Sequence, residues 1–253
     1  MKSGIIVFFL MFNFTILSAQ VQREYGGIVR GDVSGKKLSL VFTGHEYAEG
    51  ADFILESLKK GNIKASFFLT GDFLRNPEFE MLVMRMVEDR HYVGPHSDKH
   101  LLYASWEDRE ELLIDKNTFL KDLKHNIDAI ELFGIPRSEI TFFLPPYEWY
   151  NDSISKWTTE SGLELINFSS GTRSHADYTD PSMPNYISSR DILRGIMDYE
   201  KSSSTGMNGF ILLVHLGVGE KREDKFYYFL PELIQFLRDK EYTMVDLEEM
   251  LKE

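Results

Sequence analysis

Cysteine is absent from the 253 residues, which excludes disulfides, thiolate metal sites, a cysteine nucleophile and a lipoprotein anchor. Any metal must therefore be held by His, Asp or Glu. Basic residues are scarce beside acids, 28 Lys and Arg against 40 Asp and Glu, a formal net charge of −12. Such a chain repels phosphate backbones and anionic membrane surfaces, so nucleic acid is disfavoured as a partner and neutral or cationic substrates fit better. No internal repeat or long low-complexity tract is present. Nor is there an apolar run suited to a full membrane span: residues 4–17 come nearest, and Asn13 and Thr15 interrupt them.

That run follows Lys2 and leads into Ser18 and Ala19, the pattern of a cleaved signal peptide over residues 1–19. The expectation is an exported protein, periplasmic or secreted, with no stable membrane anchor after cleavage. Loss of Lys2 would leave the mature chain one unit more negative. What remains has globular composition, with 43% hydrophobic and 13% aromatic residues in the whole chain. It is long enough for one sizeable α/β domain, read here as residues 36–253 behind a short extension, 20–35.

Apolar strands and helical patterns alternate about seven times. KKLSLVFTG (36–44) reads as a strand, and GADFILESLKKGN has helical spacing with Gly61 placed to cap it. KASFFLTG is a second strand, followed by a helix opened by Asn76 and Pro77, then a brief third strand, YVG. A long helix is expected from Trp106 to about Phe133, ended by Gly134 and Pro136. ITFFLPP and LELINFS make two further strands around a helix capped by Asn151 or Asp152. After an irregular loop come a helix (SSRDILRGIMDYEK), the most apolar strand (GFILLVHLG), another helix and a final TMVDL. This order argues for a parallel sheet covered by helices, either an open doubly wound sheet or a closed barrel.

In barrels the working residues sit on the loops that follow the strands. Here those loops carry Thr43, Gly44, His45 and Glu46, then Thr70 and Asp72, then His96, Asp98 and His100. Next come Pro145, Pro146, Tyr147 and Glu148, then Ser169 and Ser170, then His215. Five of the seven histidines (His45, His96, His100, His175 and His215) fall on loops of one face. One such His is an ordinary hydrogen-bonding residue at the edge of a core. Five together suggest convergent imidazoles, the requirement of a zinc site without thiolates.

KASFFLTGDFLRNPE, HYVGPHSDKH, FLPPYEWYN and GFILLVHLG, in that order and spacing, resemble the polysaccharide deacetylases of the NodB type, carbohydrate esterase family 4. The resemblance runs from about Leu38 to the C-terminus. It implies a distorted (β/α)7 barrel of parallel strands, related to the TIM barrel. It also implies metal-dependent removal of acetyl groups from an N-acetylated polysaccharide or oligosaccharide. HSDKH is similar to the family motif in which both histidines, here His96 and His100, bind the ion. LVHLG is similar to the motif whose His, here His215, is the general acid.

The chain departs from the pattern in three places. In the family's T-F-D-D-G motif the two aspartates are the base and the third metal ligand; here Thr43 and Gly44 stand at those positions. In R-P-P-Y-G the arginine supports the catalytic carboxylate; here Leu144 replaces it. Deleting one member of a buried charge pair costs roughly 3–5 kcal/mol, whereas replacing both can be nearly neutral, so the two losses are mutually consistent. The fourth motif, SSGTRSHADYT, lacks close-set aspartates, leaving Asp177 or Arg173 as candidate supports.

The chemistry defines what must replace them. Amide hydrolysis needs an activated water, a base for its proton and an acid for the leaving amine. Zinc lowers the pKa of its bound water to roughly 7 and polarises the carbonyl. His96 and His100 supply two ligands, and Glu46 or His45 the third; the metal is a divalent ion, zinc by this donor set. Asp72 and Glu148 are the candidates for the base, each of which is otherwise an ordinary loop acid. Tyr147 and Trp149 flank Glu148 and suit stacking on sugar rings beside Pro145 and Pro146, and the resemblance assigns the Tyr147 N–H to the developing oxyanion. Two other readings stay open. One is a catalytically inactive, carbohydrate-binding descendant; the other is a metal-dependent hydrolase acting on another bond, such as an ester or a peptide-bridged amine.

Overall fold

The computed structural model describes residues 21–252. The proposed signal peptide lies outside the described residues, and no described helix is long and apolar enough to cross a membrane.

Four parallel strands form the backbone of the sheet. β3 (Lys37–Gly44) has β4 (Ser66–Leu69) on one side, followed by β5 (Tyr92–Pro95), and β8 (Phe210–His215) on the other. β9 (Thr243–Met244) adds a short parallel pairing at the start of β3. The sheet then curls. Leu144 N–H donates to Pro95 O at 3.2 Å, linking β5 to β6 (Phe142–Phe143), which pairs with β7 (Glu164–Leu165). Residues 22–30, set apart above as an extension, form a hairpin, β1 (Gln22–Glu24) and β2 (Gly27–Arg30). This hairpin fills the gap between β7 and β8: Ile166 bridges Ile28, and Arg30 pairs antiparallel with Phe210. The result is the distorted barrel, made of parallel strands except for this one inserted ribbon.

Period-two alternation explains why both faces of the strands are apolar. Leu40, Phe42, Phe67, Leu69, Leu212 and Val214 belong to the outer core beneath the helices. Val41, Phe68, Ile211 and Leu213 belong to a second cluster inside the barrel, with Ile28, Tyr92, Phe142, Leu144 and Ile166. A side chain of this size contributes about 1.5–3 kcal/mol when fully buried. By the same alternation Thr43 and His215, which are partners in the β3–β8 ladder, point inward at the barrel's C-terminal mouth.

The helices are α1 (Ala51–Lys60), α2 (Gly71–Leu74), α3 (Glu80–Glu88), α4 (Lys116–Glu131), α5 (Asp152–Glu160), α6 (Ser189–Ser202), α7 (Leu230–Asp239) and α8 (Leu247–Leu251). Two differ from the sequence reading. The long helix begins at Lys116, not near Trp106, with Asp115 capping it by accepting from Thr118 N–H at 2.8 Å. Residues 104–112 instead turn back on themselves, with Ala104 bridged antiparallel to Leu112. Local acceptors compete with the helix there: Ser105 Oγ takes Glu107 N–H and Asp108 Oδ1 takes Glu110 N–H. Similarly α3 starts at Glu80, because Asn76 Oδ1 accepts from Glu78 N–H and makes a turn of residues 76–79.

Candidate active site

The mouth of the barrel collects the loops that follow β3, β4, β5, β6 and β8. His96 follows β5 and is 2% exposed. Its backbone N–H donates to Asn126 Oδ1 on α4 at 2.8 Å, and its Nδ1–H donates to Leu144 O at 2.8 Å. The second bond fixes the tautomer and leaves the Nε2 lone pair free. Burial pushes the His96 pKa down to about 3, with the Leu144 carbonyl opposing. Positive φ at Ser97 (73°) and His100 (52°) bends the loop back on itself. His100 then sits with its ring centroid 5.1 Å from His96 and 4.4 Å from Tyr147. Burial, with the neighbouring imidazoles, holds its pKa near 2.

The family's metal does not fit the donors present. His45 lies face to face with His100, centroids 4.4 Å apart and planes within 13°, so their in-plane lone pairs run side by side instead of converging. His45 Nδ1 is also 3.2 Å from Thr70 Oγ1. Glu46 is exposed to solvent. At Gly44, a Cβ would stand 2.9 Å from Leu216 Cδ1, 2.9 Å from Leu69 Cδ2 and 3.0 Å from Phe73 Cε2. The corner that a ligand aspartate would occupy is therefore filled with hydrocarbon. Among the described residues no three His, Asp or Glu side chains are grouped to hold an ion, whereas catalytic zinc takes three protein ligands.

At the end of β8, His215 is gripped by a buried aspartate. His215 Nδ1–H donates to Asp177 Oδ1 at 2.6 Å, and its backbone N–H donates to Asp177 Oδ2 at 3.0 Å. Asp177 is 2% exposed and comes from the 3₁₀ turn Ser174–Tyr178. Burial alone would lower the His215 pKa. The Asp177 carboxylate outweighs it and Glu148 adds to the effect, so the imidazolium is favoured beyond the ordinary range. Glu148 is half-buried, and that burial pushes its pKa to about 7; His215 pulls it down and Asp177 pushes it up. The backbone here is unusual: Tyr147 (φ 60°) and Glu148 (φ 54°) are consecutive left-handed residues without glycine. Each costs roughly 1–2 kcal/mol. In the motif R-P-P-Y-G, Glu148 stands at the glycine position, so a residue with a side chain keeps the left-handed conformation there.

The other sequence candidates are placed as follows. Asp72 binds Lys99 Nζ and Arg75 at 3.0 Å, and these cations lower its pKa against the effect of burial. Its carboxylate is thus committed to partners, while Glu148 has no cation salt-bridged to it among the described residues. Pro145 and Pro146 are buried and start the tight turn that carries Tyr147 and Glu148. Leu144 fills the barrel interior, and its carbonyl orients His96. The Thr43 hydroxyl is buried without a hydrogen-bond partner beside the same mouth. Trp149 is half-buried, packed under Trp106 and Arg109. Trp106 was missed by the sequence reading, which placed it inside a helix; an aromatic within a Ser- and Asp-containing turn was the available signal. His175 stacks on Phe168 with centroids 4.0 Å apart, outside the His96–His100 group.

The model of the polysaccharide deacetylase family matches residues 30–166. A curated protein of Geobacillus stearothermophilus, described only as an uncharacterized 30.6 kDa protein, is 40% identical over 83 residues, 32% of this chain and 30% of that one. The peptidoglycan-N-acetylglucosamine deacetylase PgdA of Listeria monocytogenes is 30% identical over 140 residues, 55% of this chain and 27% of its own length. The chain thus spans under a third of these two curated relatives. Among solved structures, a CE4 family pseudoenzyme from Bacillus anthracis is similar with a TM-score of 0.71 at 21% identity, covering 91% of this chain and 70% of that one. A mutant form of that pseudoenzyme, described as having restored enzymatic activity, matches with the same TM-score. At this identity the likeness is one of fold.

Proposed function

The chain belongs to the polysaccharide deacetylase family, and from that premise we propose that it hydrolyses acetyl groups from an N-acetylated glycan of the peptidoglycan kind. His215 is the acid, Glu148 the base and Asp177 the group that positions His215. The observation that carries this is the 2.6 Å bond from His215 Nδ1 to a buried aspartate, with Glu148 near enough to favour the imidazolium as well. The double grip of Asp177 on the ring and on the backbone N–H fixes the orientation of the imidazole, as a positioned acid requires.

In this reading ionised Glu148 takes a proton from water as the oxygen attacks the acetyl carbon. The Tyr147 N–H lies on the strained turn beside Glu148 and is the donor assigned to the oxyanion. Collapse of the tetrahedral adduct breaks the C–N bond, and His215 gives the Nε2 proton to the departing amine. Acetate and the free amine result. The proton on Glu148 returns to His215 to reset the site. Because the donor set does not fit a metal, no step here passes through one; His96 and His100 act as neutral imidazoles lining the acyl pocket. The apolar leader supports export, so the site would meet its glycan outside the cytoplasm; the N-terminus of the mature protein, read by mass spectrometry, tests cleavage after Ala19.

The test is acetate release from peptidoglycan and from N-acetylglucosamine oligomers, with chelator or with added zinc. Release that persists in chelator and is lost in His215→Asn and Glu148→Gln supports the proposal. Release that survives either substitution, or none from any substrate, overturns it. A second reading, glycan binding without turnover, is favoured by the hydrocarbon packing at Gly44, which leaves neither aspartate of the family's first motif. Its mark would be saturable glycan binding in a protein that releases no acetate.

A further inference from the structure

Trp106 is 56% exposed and Tyr147 45% exposed, although both stand within a cluster of aromatic rings that could have covered them. Their rings are 5.8 Å apart and nearly perpendicular, at 78°. Tyr147 in turn rests on His100 at 4.4 Å, so an unbroken run of rings leads from the candidate acyl pocket out to Trp106.

The loop holding Trp106 is tied down. Trp149 lies beneath it with centroids 5.2 Å apart, and the Trp149 Nε1–H donates to Ser105 O at 3.1 Å. The Arg109 guanidinium stands 3.5 Å from the Trp149 ring centroid and 4.2 Å from that of Tyr25. Asn151 Nδ2 donates to Arg109 O at 2.9 Å. Trp149, one of the two stacking residues expected from sequence, is therefore used up internally, as the base of a pillar whose exposed top is Trp106. An aromatic surface held rigidly in water costs little entropy to engage, which is the property of a preorganised binding face.

We propose that Trp106 and Tyr147 form a stacking platform for successive sugar rings, so that the site takes a glycan chain and discriminates against a single sugar. This rests on the glycan reading above. It adds the direction in which the chain leaves the pocket, across the 104–112 turn, and names Trp106 as the residue that reads chain length. The apolar faces of pyranose rings suit flat aromatic partners, while Glu107 and Asp108, exposed next to Trp106 in the same turn, carry carboxylates suited to hydroxyls.

The experiment titrates the protein with N-acetylglucosamine and its linear oligomers of two to five units. Tryptophan fluorescence and calorimetry report binding, and acetate release is measured on the same samples. Affinity is expected to rise with length. Trp106→Ala should weaken the longest oligomer by about tenfold, equivalent to 1.4 kcal/mol, and leave the single sugar nearly unchanged. Trp106→Tyr, which keeps an aromatic face, should recover most of the loss and guards against a loop that has merely loosened. Equal weakening at every length, no weakening, or no oligomer bound by the unaltered protein overturns the platform. Length-dependent binding that Trp106→Ala abolishes, in a protein releasing no acetate, supports the platform and removes the hydrolase reading instead.

Discussion

Replacing Glu148 should make the protein more stable and inactive in the same step. Burial raises its carboxyl from an ordinary 4.5 to about 7. A carboxyl whose folded pKa is raised binds its proton more tightly in the folded state, so the fold loses stability as pH climbs from about 4.5 through about 7. Over that interval the loss comes to about 3 kcal/mol, complete above pH 7 and absent below 4.5. Glu148→Gln keeps the shape and removes the charge, so it should stabilise by about 3 kcal/mol at pH 8 and by little at pH 4.5. Glu148→Gly also relieves the left-handed backbone at φ 54°, worth roughly 1–2 kcal/mol, less roughly 0.5–1 kcal/mol of added chain entropy in the unfolded state. Urea denaturation at the two pH values, with a constant slope and a moving midpoint, measures both variants. A Gln variant whose gain is the same at pH 4.5 and pH 8 would refute the idea that an ionisable, desolvated carboxylate is stored there. Retained acetate release in either variant would refute its use as the base.

The packing at Gly44 makes a second expectation. Gly44→Ala should cost about 1–3 kcal/mol by overpacking against Leu69, Phe73 and Leu216. Thr43→Asp with Gly44→Asp and Leu216→Ala should create zinc-dependent stabilisation, about 2.7 kcal/mol at a hundredfold excess over Kd, seen as a raised Tm; an equal zinc shift in the unaltered protein would contradict the misfit described here. Asp177→Asn should remove the carboxylate that raises the His215 pKa, so the alkaline limb of the activity profile should move to lower pH; an unmoved limb would detach His215 from the acid role. His91 is 8% exposed, accepts Ala65 N–H at 3.2 Å, and is driven by burial from 6.5 to about 4. Its unfolded form binds the proton first, so stability should fall by about 3 kcal/mol as pH drops from about 6.5 to about 4; His91→Gln, which keeps an acceptor, should flatten that part of the curve in denaturation measured across the window.

Much of the barrel was legible because strands buried on both faces read as continuous apolar runs, and 36–44, 66–69 and 210–215 are such runs. The hairpin at residues 22–30 was not legible. Its residues are short and mixed, and their place in the sheet comes from pairing with Ile166 and Phe210, far away in the chain. The helix expected from Trp106 starts only at Lys116 for a local reason: side-chain acceptors at Ser105 and Asp108 satisfied backbone donors before a helix could. Periodicity does not register that competition.

The linear order of residues was enough to establish the alternation of strand and helix, and the delivery of His45, His96, His100, Glu148 and His215 to one mouth, since loops after parallel strands share an end. It was also enough to show that two family aspartates and an arginine are missing. Which groups then work together depended on angles and distances of a few ångströms between segments far apart in the chain. Stacking of His45 on His100 turns lone pairs away from a common point, hydrocarbon closes the Gly44 corner, and Asp177 reaches His215 across a loop. Hydrogen bonds and desolvation act at those ranges, and the spacing of letters along a chain does not encode them.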